Sequence, residues 1–213
     1  MKHLQFVDEY GSFSIEQPEN ISYLYFPLAS ETGLKSSLTP NLGGDTKTDQ
    51  ETFLLEPVSA ENLHNNRSVR NFWLVCEKEG VFSASGASAE QEAVKFTDLQ
   101  DQSKITAGFM WHTLERISSA LSLETRITSF IPVNDNVEIM HITVRNQSDS
   151  TKELIPYAPL PIYGRSADNI RDHRNVTSML HRIRTNSHGV LVRPTMSFDE
   201  RGHRPNTKIY YVC

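Results

Sequence analysis

The sequence predicts an all-β protein built as an antiparallel sandwich, and three observations carry that prediction. About a dozen short runs rich in β-branched and aromatic residues recur along the chain, each bounded by Gly, Pro, Asn, Asp or Ser. Alternation is of period two in Leu121, Leu123, Thr125 and Ile127 against Ser122, Glu124, Arg126 and Thr128, a strand with one wet face. Helical spacing is confined to one or two short stretches at most, the clearest being Ala87 to Phe96, where Ala89, Ala93 and Phe96 recur every three to four residues. A chain of 213 residues fits a single domain, 1–213, because sandwiches run to ~250 residues before dividing.

Taken in order, Leu4 to Val7, Tyr10 to Glu16 and Ser22 to Leu28 are expected as strands, with Pro18 breaking between them. Glu31 to Gln50 is rich in Gly, Ser, Thr, Asn and Asp around Leu42-Gly43-Gly44-Asp45 and is expected as a long surface loop. It lacks the lysine and spacing of a phosphate loop. Thr52 to Val58 is a strand and Ala60 to Val69 a polar loop. Asn71 to Glu77 and Val81 to Ser85 form a hairpin with Gly80 near its turn. Ile105 to Phe130 holds two longer strands, the first with Phe109, Trp111 and Thr113 on one face and Met110, His112 and Leu114 on the other. Val137 to Arg145 is the strongest strand signal. It runs into the turn Asn146 to Ser150, and Glu153 to Ala158 is expected to return against it as an antiparallel hairpin. Val176 to Thr185, Val190 to Pro194 and Lys208 to Val212 are further extended runs, with Ser197 to Thr207 a polar turn.

Composition excludes several function classes. The 21 Lys and Arg against 26 Asp and Glu are scattered, leaving a net charge of −5 and no basic footprint for nucleic acid. Cys76 and Cys213 form neither a disulfide framework nor a metal-ligand spacing. The first residues lack the apolar core of a signal peptide, and nowhere do ~18 apolar residues run together, so the expectation is a cytoplasmic protein without a membrane partner. The four N-x-S/T matches at Asn20, Asn66, Asn146 and Asn175 are read as chance on that expectation.

Candidate chemistry concentrates in one place. Arg165 to Arg182 carries Arg171, Asp172, His173 and Arg174 between two extended runs, where binding residues collect on loops held by a rigid sheet. Asp168, Asp172, Asp199 and Glu200 are offered as acids only to be read as solvated loop carboxylates. His112, His141 and His181 are expected to be hydrogen-bonded or exposed, and no metal ligand set is expected. Trp73 and Trp111 could stack on sugar rings, but their alternating apolar surroundings point to core packing.

An E-x-x-x-x-T-V-x-N-x-S-D run from Glu138 to Asp149 is followed by the aspartate-bearing stretch that ends in Arg174-Asn175. With them stand Tyr23 to Ala29, Leu55 to Ser59, Arg70-Asn71-Phe72-Trp73, Gly108 to His112 and Arg171 to Ile183. In this order they resemble the N-terminal β-sandwich of the family 94 inverting glycoside phosphorylases, nearest to those acting on 1,2-β-oligoglucans. The resemblance implies a supersandwich of galactose-mutarotase-like architecture. It also implies an oligosaccharide substrate, inorganic phosphate as co-substrate with no other cofactor, and a homodimer.

Inverting cleavage needs one carboxylic acid to protonate the leaving oxygen, whereas phosphate arrives already anionic and needs no second carboxylate. In the resembled family that acid is an aspartate of a helical barrel following the sandwich. No stretch here reads as such a barrel, so no catalytic residue is assigned to this chain, and a helical-barrel catalytic domain is expected in cis. Family sandwiches usually run longer, which leads to the expectation that Cys213 precedes the last strands. The resemblance further places an acceptor-glucose contact, a Gln-Arg pair in the family, on His173 and Arg174. His replaces Gln here, though either side chain can hydrogen-bond a hydroxyl. Two rival readings remain: a non-catalytic carbohydrate-binding or structural sandwich, and a mutarotase-like epimerase, which would need a His and a Glu facing one cleft.

Overall fold

The computed structural model describes residues 4–21, 24–57, 69–166, 179–199 and 202–213. Along them lie β1 (Leu4–Phe6), β2 (Phe13–Glu16), a 3-10 turn (Pro18–Asn20), β3 (Phe26–Ala29), β4 (Lys35–Leu38), β5 (Thr46–Asp49) and β6 (Thr52–Leu55). Then come β7 (Trp73–Cys76), β8 (Gly80–Ser83), α1 (Ala89–Ala93), β9 (Gln102–Gly108), β10 (Trp111–Ser118), β11 (Leu123–Phe130) and β12 (Ile139–Asn146). The chain continues with β13 (Leu154–Tyr157), β14 (His181–Thr185), β15 (Val190–Pro194), β16 (Met196–Asp199), β17 (Gly202–Pro205) and β18 (Tyr210–Val212). Every pairing between these strands is antiparallel, as the sequence predicts.

The backbone of the fold is a six-stranded sheet in the order β1-β2-β9-β10-β11-β12. Its register lines up three rungs on the inner face: Ser103-Arg116-Thr125-Val144, Ile105-Leu114-Ile127-Ile142 and Ala107-His112-Ser129-Met140. The middle rung is apolar and its first three members are no more than 1 % exposed, because the four-stranded sheet β3-β4-β5-β6 packs on it through Phe26, Leu28 and Leu38. A smaller cluster of Leu74, Phe82, Leu121 and Leu123 seats the sheet β13-β7-β8 on the same face. Two layers share one core, which defines a sandwich. The sheets β14-β15-β18 and β16-β17 complete the described residues, among which no helix is long and apolar enough to cross a membrane.

Several expectations are corrected. Val137 to Arg145 and Glu153 to Ala158 do not form a hairpin: β12 pairs with β11, and β13 pairs with β7 in another sheet. The turn between them folds on itself, Asn146 Nδ2 donating to the Ser150 carbonyl at 2.7 Å and Asn146 Oδ1 accepting from the Ser148 amide at 3.0 Å. Pro156 has no N–H, so it suits the edge position that β13 takes beside β7. The half-buried Lys152 leads into β13 and pairs with Glu79 after β7.

The expected loop Glu31 to Gln50 contains β4 and β5, whose Ser and Thr side chains alternate between buried and half-exposed without the apolar signature of a strand. Ile105 to Phe130 spans three strands rather than two. The chain reverses at Phe109-Met110, leaving Phe109 87 % exposed and Met110 at a φ of 60°. The expected polar turn Ser197 to Thr207 contains the hairpin β16–β17. The helix is present but shorter than expected, and none of its residues is buried. Its start is set by Ser88, whose hydroxyl accepts from the Gln91 amide at 3.1 Å, not by an apolar face. The expected loop residues 60–68, the strand residues 22–23 and 176–178, and Asn66, Asp168, Asn175 and Glu200 lie outside the described residues.

Candidate functional site

Arg171, Asp172, His173 and Arg174 all lie outside the described residues, but the chain on either side of them is described. The incoming stem, Tyr163 to Ser166, is buried. It is strapped to β6 by Tyr163 N to the Leu54 carbonyl at 2.7 Å, Gly164 N to Phe53 O at 2.9 Å and Phe53 N to Arg165 O at 2.9 Å. The Arg165 guanidinium turns back over the Tyr163 ring, 4.3 Å from its centroid, so this arginine is part of the stem's packing. The outgoing stem is β14. A Cβ on Gly164 would lie 3.3 Å from His181 Nε2, 2.8 Å from Pro194 Cγ and 3.5 Å from Tyr210 Cε2, so the two stems touch. Burial, and then the nearby Arg165 charge, hold the His181 imidazole below its ordinary range, keeping it neutral in this packed joint. The polar segment singled out by sequence is thus rooted in a rigid double stem.

Next to the stems opens a cavity of about 480 Å³, within the ~300–1,000 Å³ typical of ligand pockets. Ile162 and Tyr210 connect it to the stems. Leu54, Met140 and Ile142 give it apolar walls, and Arg70 and Glu138 reach it from the interior. These last two belong to runs that the sequence analysis singled out separately, and they form a buried ion pair with side chains 1 % and 9 % exposed. Arg70 Nε donates to Glu138 Oε1, and Nη2 donates to Oε2 at 3.1 Å and to Ser36 Oγ at 2.8 Å. Nη1 donates to the carbonyls of Leu42 and Gly43 at 3.2 Å, and Nη2 to that of Asp45 at 3.2 Å. Thr46 Oγ1 donates to Glu138 at 2.8 Å.

The guanidinium therefore gathers the 42–45 turn around itself. Gly44 makes this possible with a φ of +98°, at a site where a Cβ would stand 1.8 Å from the Ser37 carbonyl oxygen. Burial alone would raise the Glu138 pKa. The Arg70 charge and the hydrogen bonds from Arg70, Ser36 and Thr46 outweigh it and leave the carboxyl below its ordinary range. An ionised carboxylate held in this way cannot serve as a proton donor, so the pair is a clamp on the cavity wall.

His112 corrects its expectation, being neither exposed nor hydrogen-bonded within the described residues. It is 0 % exposed, stacked on Phe26 at 5.2 Å between ring centroids, and neither ring nitrogen has a partner there. Burial first, and then the Arg70 charge, push its pKa down to about 4. His141 is exposed, as one of the expected alternatives has it. Because the imidazole is sealed in the core, it and Glu138 do not make the open His–Glu pair that an epimerase would need. Arg116, 2 % exposed, anchors the far end of the sheet to Glu19 at 3.1 Å and Asp101 at 3.9 Å, a second interior clamp. Among the described residues no group of His, Cys, Asp and Glu is arranged to hold a metal ion.

Sequence reasoning missed the Arg70–Glu138 clamp because its partners stand 68 residues apart, and nothing local says that they meet. A charged residue at the border of an apolar run, as each is, was the available signal. Two comparisons with known proteins bear on the chain. No curated protein matches it. The family model described as "Glycosyl hydrolase 94, supersandwich domain" matches residues 48–204, which include β6 to β16, the Arg70–Glu138 pair and both loop stems. With most of its length covered by that match and an antiparallel sandwich to go with it, the chain belongs to the glycosyl hydrolase 94 family, as a supersandwich domain.

Proposed function

We propose that this chain is the sandwich portion of a cytoplasmic inverting phosphorylase that converts short β-1,2-linked gluco-oligosaccharides and phosphate into α-glucose 1-phosphate. The observation that carries the reading is the family match over residues 48–204. The ordered runs from Tyr23 to Ile183 supply the finer likeness to 1,2-β-oligoglucan phosphorylases. In this reading a helical-barrel domain in cis supplies the general acid, and two copies of the enzyme associate. The sandwich presents Arg171, Asp172, His173 and Arg174 to the acceptor sugar from the double stem. Arg174 offers five donors in a fixed fork suited to two adjacent hydroxyls or to phosphate.

Two results test this. The chain alone, given sophoro-oligosaccharides and phosphate, is expected to release no glucose 1-phosphate, since general acid catalysis worth ~10²- to 10⁴-fold is missing. The same chain joined to a helical barrel of the family is expected to release it, and activity of the chain alone above a protein-free control would refute the assignment. In the joined enzyme, Arg174→Ala should weaken acceptor binding in the synthetic direction by roughly 1.5–3 kcal/mol, about ten- to a hundredfold. The melting temperature should hardly change. An unchanged acceptor KM with a lowered melting temperature would assign Arg174 to structure instead.

A further inference from the structure

We propose that the free edge of β1 is a strand-addition surface, and that the strand it takes is β1 of a second copy of this chain. Leu4 and Phe6 continue two core rungs of the six-stranded sheet. Leu4 pairs with Ile15 and through it lines up with Ile105, and Phe6 pairs with Phe13 and through it with Ala107. Ile15, Ile105 and Ala107 are 2 % exposed or less, yet Leu4 and Phe6 are 42 % and 72 % exposed. The covering layer reaches Phe13, whose ring meets that of Phe26 at 6.3 Å between centroids, and neither Leu4 nor Phe6 joins a core cluster. The inner face is thus carried one strand beyond its own sandwich. The backbone at this edge is open as well. Val7 N–H donates to the Ser12 carbonyl at 2.8 Å and Gln17 N–H to that of Ser103 at 2.9 Å, which sets Gln5 in a pair bonded to β2, while Phe13 and Ile15 bond toward β9. Leu4 and Phe6 therefore turn their N–H and C=O groups to the outer side, where β1 has no neighbouring strand among the described residues.

This pattern is complementary to itself. The run Leu4-Gln5-Phe6 carries none of the charges or prolines that guard an edge strand. When two copies of β1 lie antiparallel about a two-fold axis at Gln5, Leu4 faces Phe6 of the second copy and Phe6 faces its Leu4. Both are pairs of outward-turned residues, so four backbone hydrogen bonds close between the copies and the two inner faces stay on one side. Each exposed Phe6 ring then lies beside a leucine at cross-strand contact distance. A register shifted by one residue sets outward groups against inward ones, and a shift of two leaves one outward pair instead of two. The acidic Asp8 and Glu9 lie three and four residues past the axis, so the copies hold them about 20 Å or more apart, well beyond the Debye length of ~8 Å. Three residues a side is a small contact, below the ~1,200 Å² of a stable complex, so the dimer is weak, with a Kd on the order of 10–100 μM.

Sedimentation equilibrium of the chain by itself, at about 5–500 μM, is the test. No sugar, phosphate or barrel is present, so its failure leaves the phosphorolysis reading standing, and the reverse also holds. A monomer–dimer equilibrium is expected. Amide hydrogen exchange should slow at Leu4 and Phe6 as concentration rises, whereas the Gln5 amide, already bonded to β2 in the monomer, should hardly change. Phe6→Asp, which sets a charge against Leu4 of the other copy, should weaken association at least about tenfold. Leu4→Pro removes an outward N–H that β2 does not use, and should weaken it about tenfold as well while leaving the monomer folded by circular dichroism. A monomer throughout the range, association that continues past two copies, or a dimer unaffected by Phe6→Asp would overturn the proposal. Should Phe6→Asp fail to fold, Leu4→Pro decides, and an unchanged dimer there overturns it equally.

Discussion

Glu138→Ala is expected to destabilise the domain by about 3–5 kcal/mol, the cost of leaving one member of a buried ion pair without its partner. The Arg70 side chain is only 1 % exposed, and the turn carbonyls it gathers can orient the guanidinium but cannot neutralise it. Since whole domains are stable by only ~5–15 kcal/mol, this is a large fraction of the total. In a domain of this size it corresponds to roughly 6–20 °C in Tm. Urea unfolding followed by circular dichroism measures it. The double variant Arg70→Met with Glu138→Leu should recover part of the loss, because both the cation and its need for a counter-charge are removed together. If Glu138→Ala stayed within about 1 kcal/mol of the parent, water would have to reach the guanidinium and the clamp would not be an interior one.

Acid should destabilise the protein well before its carboxylates titrate, and His112 is the reason. Its folded pKa of about 4 lies below the ordinary 6.5. At neutral pH the imidazole is uncharged in both folded and unfolded chains and costs nothing. As pH falls from 6.5 toward 4, the unfolded chain takes up a proton that the native core excludes, so stability is lost through that window and levels off below it. The shift corresponds to about 3 kcal/mol. Glu138, held below its usual range, adds a loss of the same sign further down, as its carboxylate is protonated away from Arg70. His112→Phe keeps a flat ring against Phe26 and removes the proton site, so its stability should be nearly level from pH 7 to pH 5 while the parent declines. Parallel decline in the two proteins would assign the acid sensitivity to other groups.

The fold was readable wherever one face of a strand is wet. Leu123 to Phe130 announces itself by alternation, although the expected run starts at Leu121, two residues inside the preceding turn. Strands β4 and β5 were not readable, because Ser36 and Thr46 are buried for the sake of Arg70 and Glu138 rather than for hydrophobicity. Lys35-Ser36-Ser37-Leu38 contains no hint of its partner. Trp111 was misassigned for the complementary reason: an aromatic residue in an alternating strand is apolar on either face, and only the register shows that His112 takes the inside.

The sequence by itself determined the all-β class, the antiparallel sandwich, the family resemblance and the positions of most strands, since alternation, β-branching and turn residues act over a few neighbouring positions. Only the tertiary structure decided which strands pair, and so moved β13 from β12 to β7. It alone also joined Arg70 to Glu138, sealed His112 under Phe26 and brought Gly164 against His181. These outcomes depend on contacts between residues distant in sequence, whose energies are set by burial and by the loss of water around charge, and neither quantity exists until the layers close.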